Sequence, residues 1–290
     1  MMEFIAQVLS PIIRAIYNVT NGNYVLALVL FTLIVKILML PLSIKQQRSM
    51  MAQQRIQPKV AALQEKYKDD REKLNEETIK LYEKEGVSPT GGCLPLLIQF
   101  PILIGLYRII QRPLTYILAL PAASIVEKIN ENAAMFDAPF LAATGNTAAV
   151  EAGSLTLEQF SKYAYNIEIS VANKLDLINF NLFGINLAET PEFNKISALW
   201  ILPILAAAST FLTTYVTKWM AEAKAKKEGK EIKKKEKQQG QPDMTVMNIM
   251  MSGMTLMFGF SLPNALAFYW VISSVLGIAQ QVALKKFIKE

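Results

Sequence analysis

The chain has 290 residues, 52% of them hydrophobic, and its mean hydropathy is positive, above what a soluble domain usually carries. With no histidine and a single cysteine, Cys93, it lacks the commonest general base and cannot form an internal disulfide or a multi-cysteine metal site. The formal charge is +6, and the placement of the lysines and arginines says more than their sum.

Residues 1–22 do not read as a cleavable signal peptide: the start is not basic, Ser10-Pro11 and Arg14 interrupt the apolar run, and no small-residue cleavage site follows. Ile5, Val8, Leu9, Ile12, Ile13 and Ile16 fall at helical spacing. A short interfacial helix is expected, the alternative being an extra turn leading into the first span. Five apolar stretches of span length follow, at 24–43, 94–120, 196–217, 244–262 and 264–284, the last two separated by little more than Pro263.

Between the first two stretches, residues 45–85 are charged and rich in Gln, Glu and Lys. Ile56, Val60, Leu63 and Tyr67 keep a thin apolar stripe; Leu74, Leu81 and Tyr82 resume it after Asp69-Asp70. This predicts two antiparallel helices with a turn at the Asp pair, a kink at Pro58, and an end at Gly86 and Ser88-Pro89. Residues 121–195 hold no span-length apolar run and read as a surface loop with short interfacial helices, one of them near Leu157–Tyr165. Basic residues set the orientation. Ten lie in the hairpin, nine lysines lie in 218–243, and Lys285, Lys286 and Lys289 end the chain, against Arg14 and six between Arg108 and Lys195. The N-terminus is therefore expected outside, with hairpin, lysine loop and C-terminus in the cytoplasm.

The polar residues inside the spans fall mainly in the cytoplasmic halves. Thr32, Lys36 and Ser43 share one face of the first, and Gln99 stands inside the start of the second. Thr210, Thr213, Thr214 and Thr217 cluster toward the inner end of the third; the fifth presents Trp270, Ser273, Ser274, Gly277, Gln280 and Gln281. Unpartnered polar groups are costly in hydrocarbon, so these faces should meet around water: a groove open to the cytoplasm, closed outside, with one fixed positive charge. The plainer alternatives are threonines bonded to their own helix, a snorkelling Lys36, and Trp270 as packing or interfacial anchor. Against snorkelling, Lys36 lies roughly 13 Å from the Lys45 end, beyond its stem's reach of about 6 Å. In the fourth span, Met247, Met250, Met251, Met254 and Met257 cover one arc and Ser252, Thr255 and Gly259 the other, which reads first as a packing stripe. The run "KAKKEGKEIKKKEK" is explained first by topology, with RNA or acidic headgroups as the alternative.

Three stretches, "VKILMLPLSIKQQRSM", "GVSPTGGCLPLLIQFPILIGLYRII" and "FSLPNALAFYWVISSVLGIAQQ", resemble the YidC-type membrane protein insertases of bacteria, with relatives in mitochondria and chloroplasts. The likeness runs from about Tyr24 onward and matches the five-span form. It implies an all-α polytopic protein of the bacterial plasma membrane, with five transmembrane helices and a cytoplasmic hairpin between spans 1 and 2. It also implies a groove in which a basic residue attracts the acidic N-terminal region of a client, whose apolar segment then slides into lipid without ATP. On that resemblance the groove residues are Lys36, Gln99, Thr32, Thr213, Trp270, Ser273 and Gln280. The expected partners are nascent membrane proteins and the bilayer, with the ribosome and the Sec translocation channel as further candidates; no DNA, cofactor or metal is expected. Two departures stand out: Lys36 matches a position most often arginine, and Thr213 one often glutamine. Lysine keeps the charge but cannot fork onto a carboxylate.

A small-solute transporter or ion channel is the competing class. It would want a polar route through both membrane halves and usually several intramembrane ionisable groups. A membrane enzyme is third: with no carboxylate in any expected span, acid–base machinery is wanting, and Cys93 beside Gly91-Gly92 reads as packing.

Overall fold

The computed structural model describes residues 2–87, 94–136, 140, 147–227 and 244–287. Ser88-Pro89, Gly91-Gly92, Cys93 and most of the lysine loop therefore lie outside the described residues. What is described is mostly helical: α1 (Met2–Val19), α2 (Tyr24–Leu38), α3 (Leu40–Lys66), α4 (Arg71–Lys84), α5 (Leu94–Gln111), α6 (Pro113–Tyr116), α7 (Ala122–Glu131), α8 (Thr147–Glu151), α9 (Leu157–Lys174), α10 (Ile201–Lys227), α11 (Met244–Ser261) and α12 (Asn264–Phe287). One small hairpin, β1 (Asn181–Leu182) with β2 (Ile185–Asn186), precedes α10.

Local chemistry sets the breaks. Asn21 takes a left-handed φ of 53°, so the Gly22 N–H can bond back to Tyr17 O at 2.9 Å, and Asn23 then caps α2 by accepting from Leu26 N. At the far end of α2, Pro41 supplies no N–H and its ring crowds the carbonyl four residues back. The helix accordingly bends by 61° at Met39 and restarts as α3. α3 then runs on without interruption past Pro58 to Lys66. Asp70 caps α4 through Lys73 N, and α4 closes on Gly86 at φ 63°, with Val87 N bonded to Tyr82 O.

By length and composition, Ala198–Val216 and Asn264–Leu284 can each cross a membrane, and α2 with the start of α3 qualifies as a bent third. Of the other expected stretches, 94–120 is covered by α5 only as far as Gln111 and 244–262 by α11, and neither is among the described helices that meet that length and composition test. α5 stops at Gln111, because Pro113 cannot continue its ladder, and the next turn is the separate α6.

Residues 121–195 differ from the surface loop expected of them. The helix near Leu157 extends to Lys174, started by a Thr156–Gln159 capping box, and Ile125, Ile129, Phe160, Ile167, Val171 and Phe180 are all buried. This segment is packed onto the bundle at the end where α2 and α12 begin. Phe180 meets Tyr24 edge to face at 4.7 Å between centroids, and the N–H groups of Asn264 and Ala265 donate to the carbonyls of Glu189 and Leu187 at 2.9 and 2.8 Å. The first N–H groups of α12, which no helix can satisfy itself, thus find partners in this segment. α1 is also docked: Ala6, Ile13, Ile16 and Tyr17 are buried, and it crosses α5 at Gly105, where an added Cβ would stand 2.6 Å from Ile5 Cγ2.

Burial falls off in the same direction, among the described side chains, along α2, α5, α10 and α12. In α2, Tyr24, Ala27, Leu28, Phe31 and Thr32 are buried and nothing from Leu33 to Leu38 is. Among the described side chains, the buried run of α12 ends at Tyr269 and resumes only at Leu284, that of α10 ends at Ala206, and those of α5 are Gly105, Leu106, Ile109 and Ile110, toward its far end. Buried residues crowd one end of these helices, the packed end, and thin out toward the other, the parted half.

Candidate functional site

The parted half carries the polar groups. Lys36, half-buried on the last turn of α2, points its ammonium at α12, where a Cβ on Gly277 would lie 3.9 Å from Nζ. The bare backbone of Gly277 leaves room in front of the charge. Among the described residues no carboxylate forms an ion pair with Lys36. An ammonium with neither counter-charge nor full exposure needs water or an incoming anion.

Tyr269, Ser273 and Gly277 follow at intervals of four on α12 and so share one face. Tyr269 is buried at the base of the parted half, and its phenol oxygen accepts from Gln99 Nε2, which ties α5 to α12. The Ser273 side chain also interacts with that phenol. Gln280, further along, keeps its Nε2 buried without a hydrogen-bond partner among the described residues, as does Gln47 with its Oε1 on α3. Side-chain amides left with spare capacity suit a surface that exchanges water for peptide groups.

Of the residues singled out from sequence, the structure brings Lys36 to Gly277, and Gln99 and Ser273 to Tyr269. Three others have partners of their own. Thr32 is buried, and its hydroxyl donates to Leu28 O at 2.7 Å within its own helix. Thr213 donates to Ser209 O at 2.8 Å. Trp270 turns toward α11, tilted against Phe258 at 6.4 Å between centroids. For Thr32 the intrahelical bond accounts for the hydroxyl, because a β-hydroxyl in a helix reaches the carbonyl four residues back.

Tyr269 was not singled out from sequence, although its spacing from Ser273 and Gly277 is a usable signal. Nor was Asn248, which meets Thr214 across α10 and α11. The third omission is a charge cluster at the packed end. Glu168 on α9 is fully buried and accepts from Arg112 Nε at 2.9 Å, Thr115 N at 3.0 Å and Thr115 Oγ1 at 2.7 Å. Arg112 approaches Glu3 of α1 at 4.0 Å, Tyr116 donates to the same carboxylate, and Arg14 Nη2 donates to Tyr116 O at 3.2 Å. Its only trace in the sequence is a lone carboxylate in the apolar run around Ile167 and Ile169. At the packed end Glu168 and Arg112 are paired within the protein, whereas Lys36 has no ion-pair partner among the described residues.

Apolar helices of spanning length, joined at one end by a folded cap and parting at the other, define a multi-pass helical membrane protein. The chain belongs to the family described as the 60Kd inner membrane protein, which it matches over residues 15–290. It is 31% identical over 263 residues to the membrane protein insertase YidC of Clostridium perfringens, covering 90% of this chain and 77% of that protein. To the membrane protein insertase MisCA of Bacillus subtilis it is 29% identical over 287 residues, covering 98% of this chain and 78% of that one. The membrane protein insertase YidC 2 of Bacillus anthracis is similar to the same degree, 29% over 287 residues, with 98% and 80% covered.

Proposed function

We propose that this chain is a membrane protein insertase rather than an enzyme, acting on nascent membrane proteins in the lipid bilayer. It would capture a client's polar or acidic N-terminal region in the hollow between the parted helices and release the apolar segment sideways into lipid. The observation that carries this is the joint decline of burial along α2, α5, α10 and α12, with Lys36, which has no ion-pair partner among the described residues, in the opened half. A hydrated indentation shortens the hydrocarbon path that a polar tail must cross, and burial of the client's apolar helix drives the step, so no ATP is needed. An ammonium at the wall of such a space attracts carboxylates more strongly than one in bulk water.

In this reading α2, α5, α10, α11 and α12 are the five spans. The packed end faces outward with the N-terminus, while α3, α4, the lysine loop and the C-terminus lie in the cytoplasm. The distribution of lysines and arginines supports that orientation. The cytoplasmic hairpin is the natural contact for a ribosome or the Sec channel. A solute channel would need a polar route through the packed end, where Tyr24, Phe31, Leu106 and Ile110 are close to fully buried.

The test compares insertion of two clients, one with an acidic and one with a neutral N-terminal tail, into vesicles carrying the wild type, Lys36→Ala or Lys36→Arg. Insertion of the acidic client should fall with alanine and persist with arginine, while the neutral client changes little. Equal insertion by wild type and Lys36→Ala would remove the charge from the mechanism. Cysteines substituted at Ser273 and Gln280 should also react with a polar thiol reagent supplied from the cytoplasmic side; protection of both would remove the hollow.

A further inference from the structure

At the packed end, β1 and β2 pair Asn181 with Asn186 and Leu182 with Ile185, leaving a two-residue turn of Phe183 and Gly184. Both turn residues have positive φ, 49° and 86°. This is the geometry that favours Asn-Gly, because Asn and Gly enter the left-handed region with least strain. Phenylalanine is poorly suited to the first position, and its side chain here is 100% exposed. The ring therefore contributes nothing to folding, sits on a strained backbone and presents a large apolar group to its surroundings. Strain held without a folding benefit points to an interaction.

The fold fixes where that ring stands. The base of the hairpin is pinned by Leu187 N to Phe180 O at 3.0 Å, by Ala265 N to Leu187 O, and by Phe180 against Tyr24. It is thus held at the level where α2 and α12 begin. Phe183 stands four positions before Leu187, so the tip lies within roughly 14 Å of the residue that accepts from the first turn of α12. Two more apolar side chains of this segment, Phe193 and Ile196, are 65% and 85% exposed just before α10 begins, and continue into the exposed apolar face of α10 at Ile201, Ile204 and Leu205. A cavity of about 230 Å³ beneath the tip is lined by amides, among them Asn173, Asn179 and Asn186, with Asp176. An apolar tip beside an amide-lined hollow, at the level where spanning helices start, matches the order of groups at a bilayer surface, where aromatic rings concentrate.

We infer that Phe183 is an interfacial anchor: the hairpin seats its ring at the headgroup–acyl boundary of the leaflet facing the packed end, with the phospholipid surface as its partner. This rests on α2, α10 and α12 crossing the membrane, and continuity with the exposed face of α10 selects lipid over a protein partner.

The test uses the full chain with Cys93→Ser, a nitroxide on Phe183→Cys, and nanodiscs of phosphatidylethanolamine and phosphatidylglycerol. Labels on Leu212→Cys, exposed on α10, and Glu72→Cys, exposed on α4, give lipid and water references. The ratio of oxygen to nickel-chelate accessibility at Phe183 should exceed that at Glu72 several-fold. A ratio equal to that at Glu72, with Leu212 lipid-like, overturns the anchor alone; a water-like Leu212 overturns the membrane assignment itself. Shielding of Phe183 from both probes means a protein occupant and also overturns the anchor. In parallel, Phe183→Asn suits the turn, so its Tm in detergent should match or exceed wild type while the Tm gained on transfer to nanodiscs shrinks. Loss of Tm in detergent would make Phe183 a folding residue and end the proposal.

Discussion

The two ends of the bundle treat charge in opposite ways. At the packed end, the buried Glu168 has three donors and Arg112 lies between two carboxylates. In the parted half, Lys36 has no ion-pair partner among the described residues and faces a glycine. The same physics governs both, since a charge away from water must be compensated. Glu168 and Arg112 are compensated by the protein itself and so are structural. Lys36 is left to whatever enters, which is how a binding surface differs from a core.

Substitutions should separate these roles. The largest effect is expected for Glu168→Ala, which strands Arg112 and both donors of Thr115; breaking a buried pair costs about 3–5 kcal/mol. Thermal unfolding in detergent should show a large loss of Tm, and an unchanged Tm would mean that the cluster does not hold the packed end. Next comes Gly105→Ala, whose Cβ would overlap Ile5 and Leu9 and should cost about 1–3 kcal/mol by pushing α1 off α5. Protease protection of α1 would report it. Lys36→Ala should do the reverse of Glu168→Ala, leaving Tm nearly unchanged while insertion of an acidic client drops about tenfold, equivalent to about 1.4 kcal/mol. A large loss of stability instead would place Lys36 among the structural charges.

Two smaller effects sharpen the contrast. Thr32→Val removes a hydroxyl bonded within its own helix, so insertion should change by less than a factor of about two; a larger drop would return Thr32 to the hollow. The smallest effect concerns α3 and α4, where Lys59 holds the Glu85 carboxyl below its usual range. A depressed carboxylate stabilises above its unfolded pKa and loses that contribution as pH falls through the folded value. The α3–α4 contact should therefore be intact at neutral pH and loosen only in acid. Amide exchange in α4 that was indifferent to Glu85→Gln at neutral pH would show that the pair does not hold the hairpin.

The sequence made the helical class and the family legible, because apolar runs of span length and the blocks around Lys36, Gln99 and Trp270 are local signals. Lys36 stood out for the same reason: a charge in an apolar run is visible without a fold. Residues 121–195 were not legible. Their buried side chains, from Ile125 to Phe180, are spread over a long segment and pack against α5 and the starts of α2 and α12, which no window along the chain can show. The threonines are ambiguous in a different way. Thr32 and Thr213 share the polar stripes, yet a hydroxyl can be satisfied by the preceding turn, and spacing cannot tell that apart from facing water. Tyr269 was hidden by its aromatic body; only its contact with Gln99 marks its oxygen as a bridge.

The elbow at Met39 has a mechanical consequence. α3 is a rod of 27 residues, about 40 Å long, hinged three residues beyond Lys36. Leverage across that pivot is unequal: a swing of about 10 Å at the tip is a turn of about 14°, which displaces a point about 4.5 Å from the pivot by only about 1 Å. A swing of that size would therefore leave the ammonium in register against Gly277.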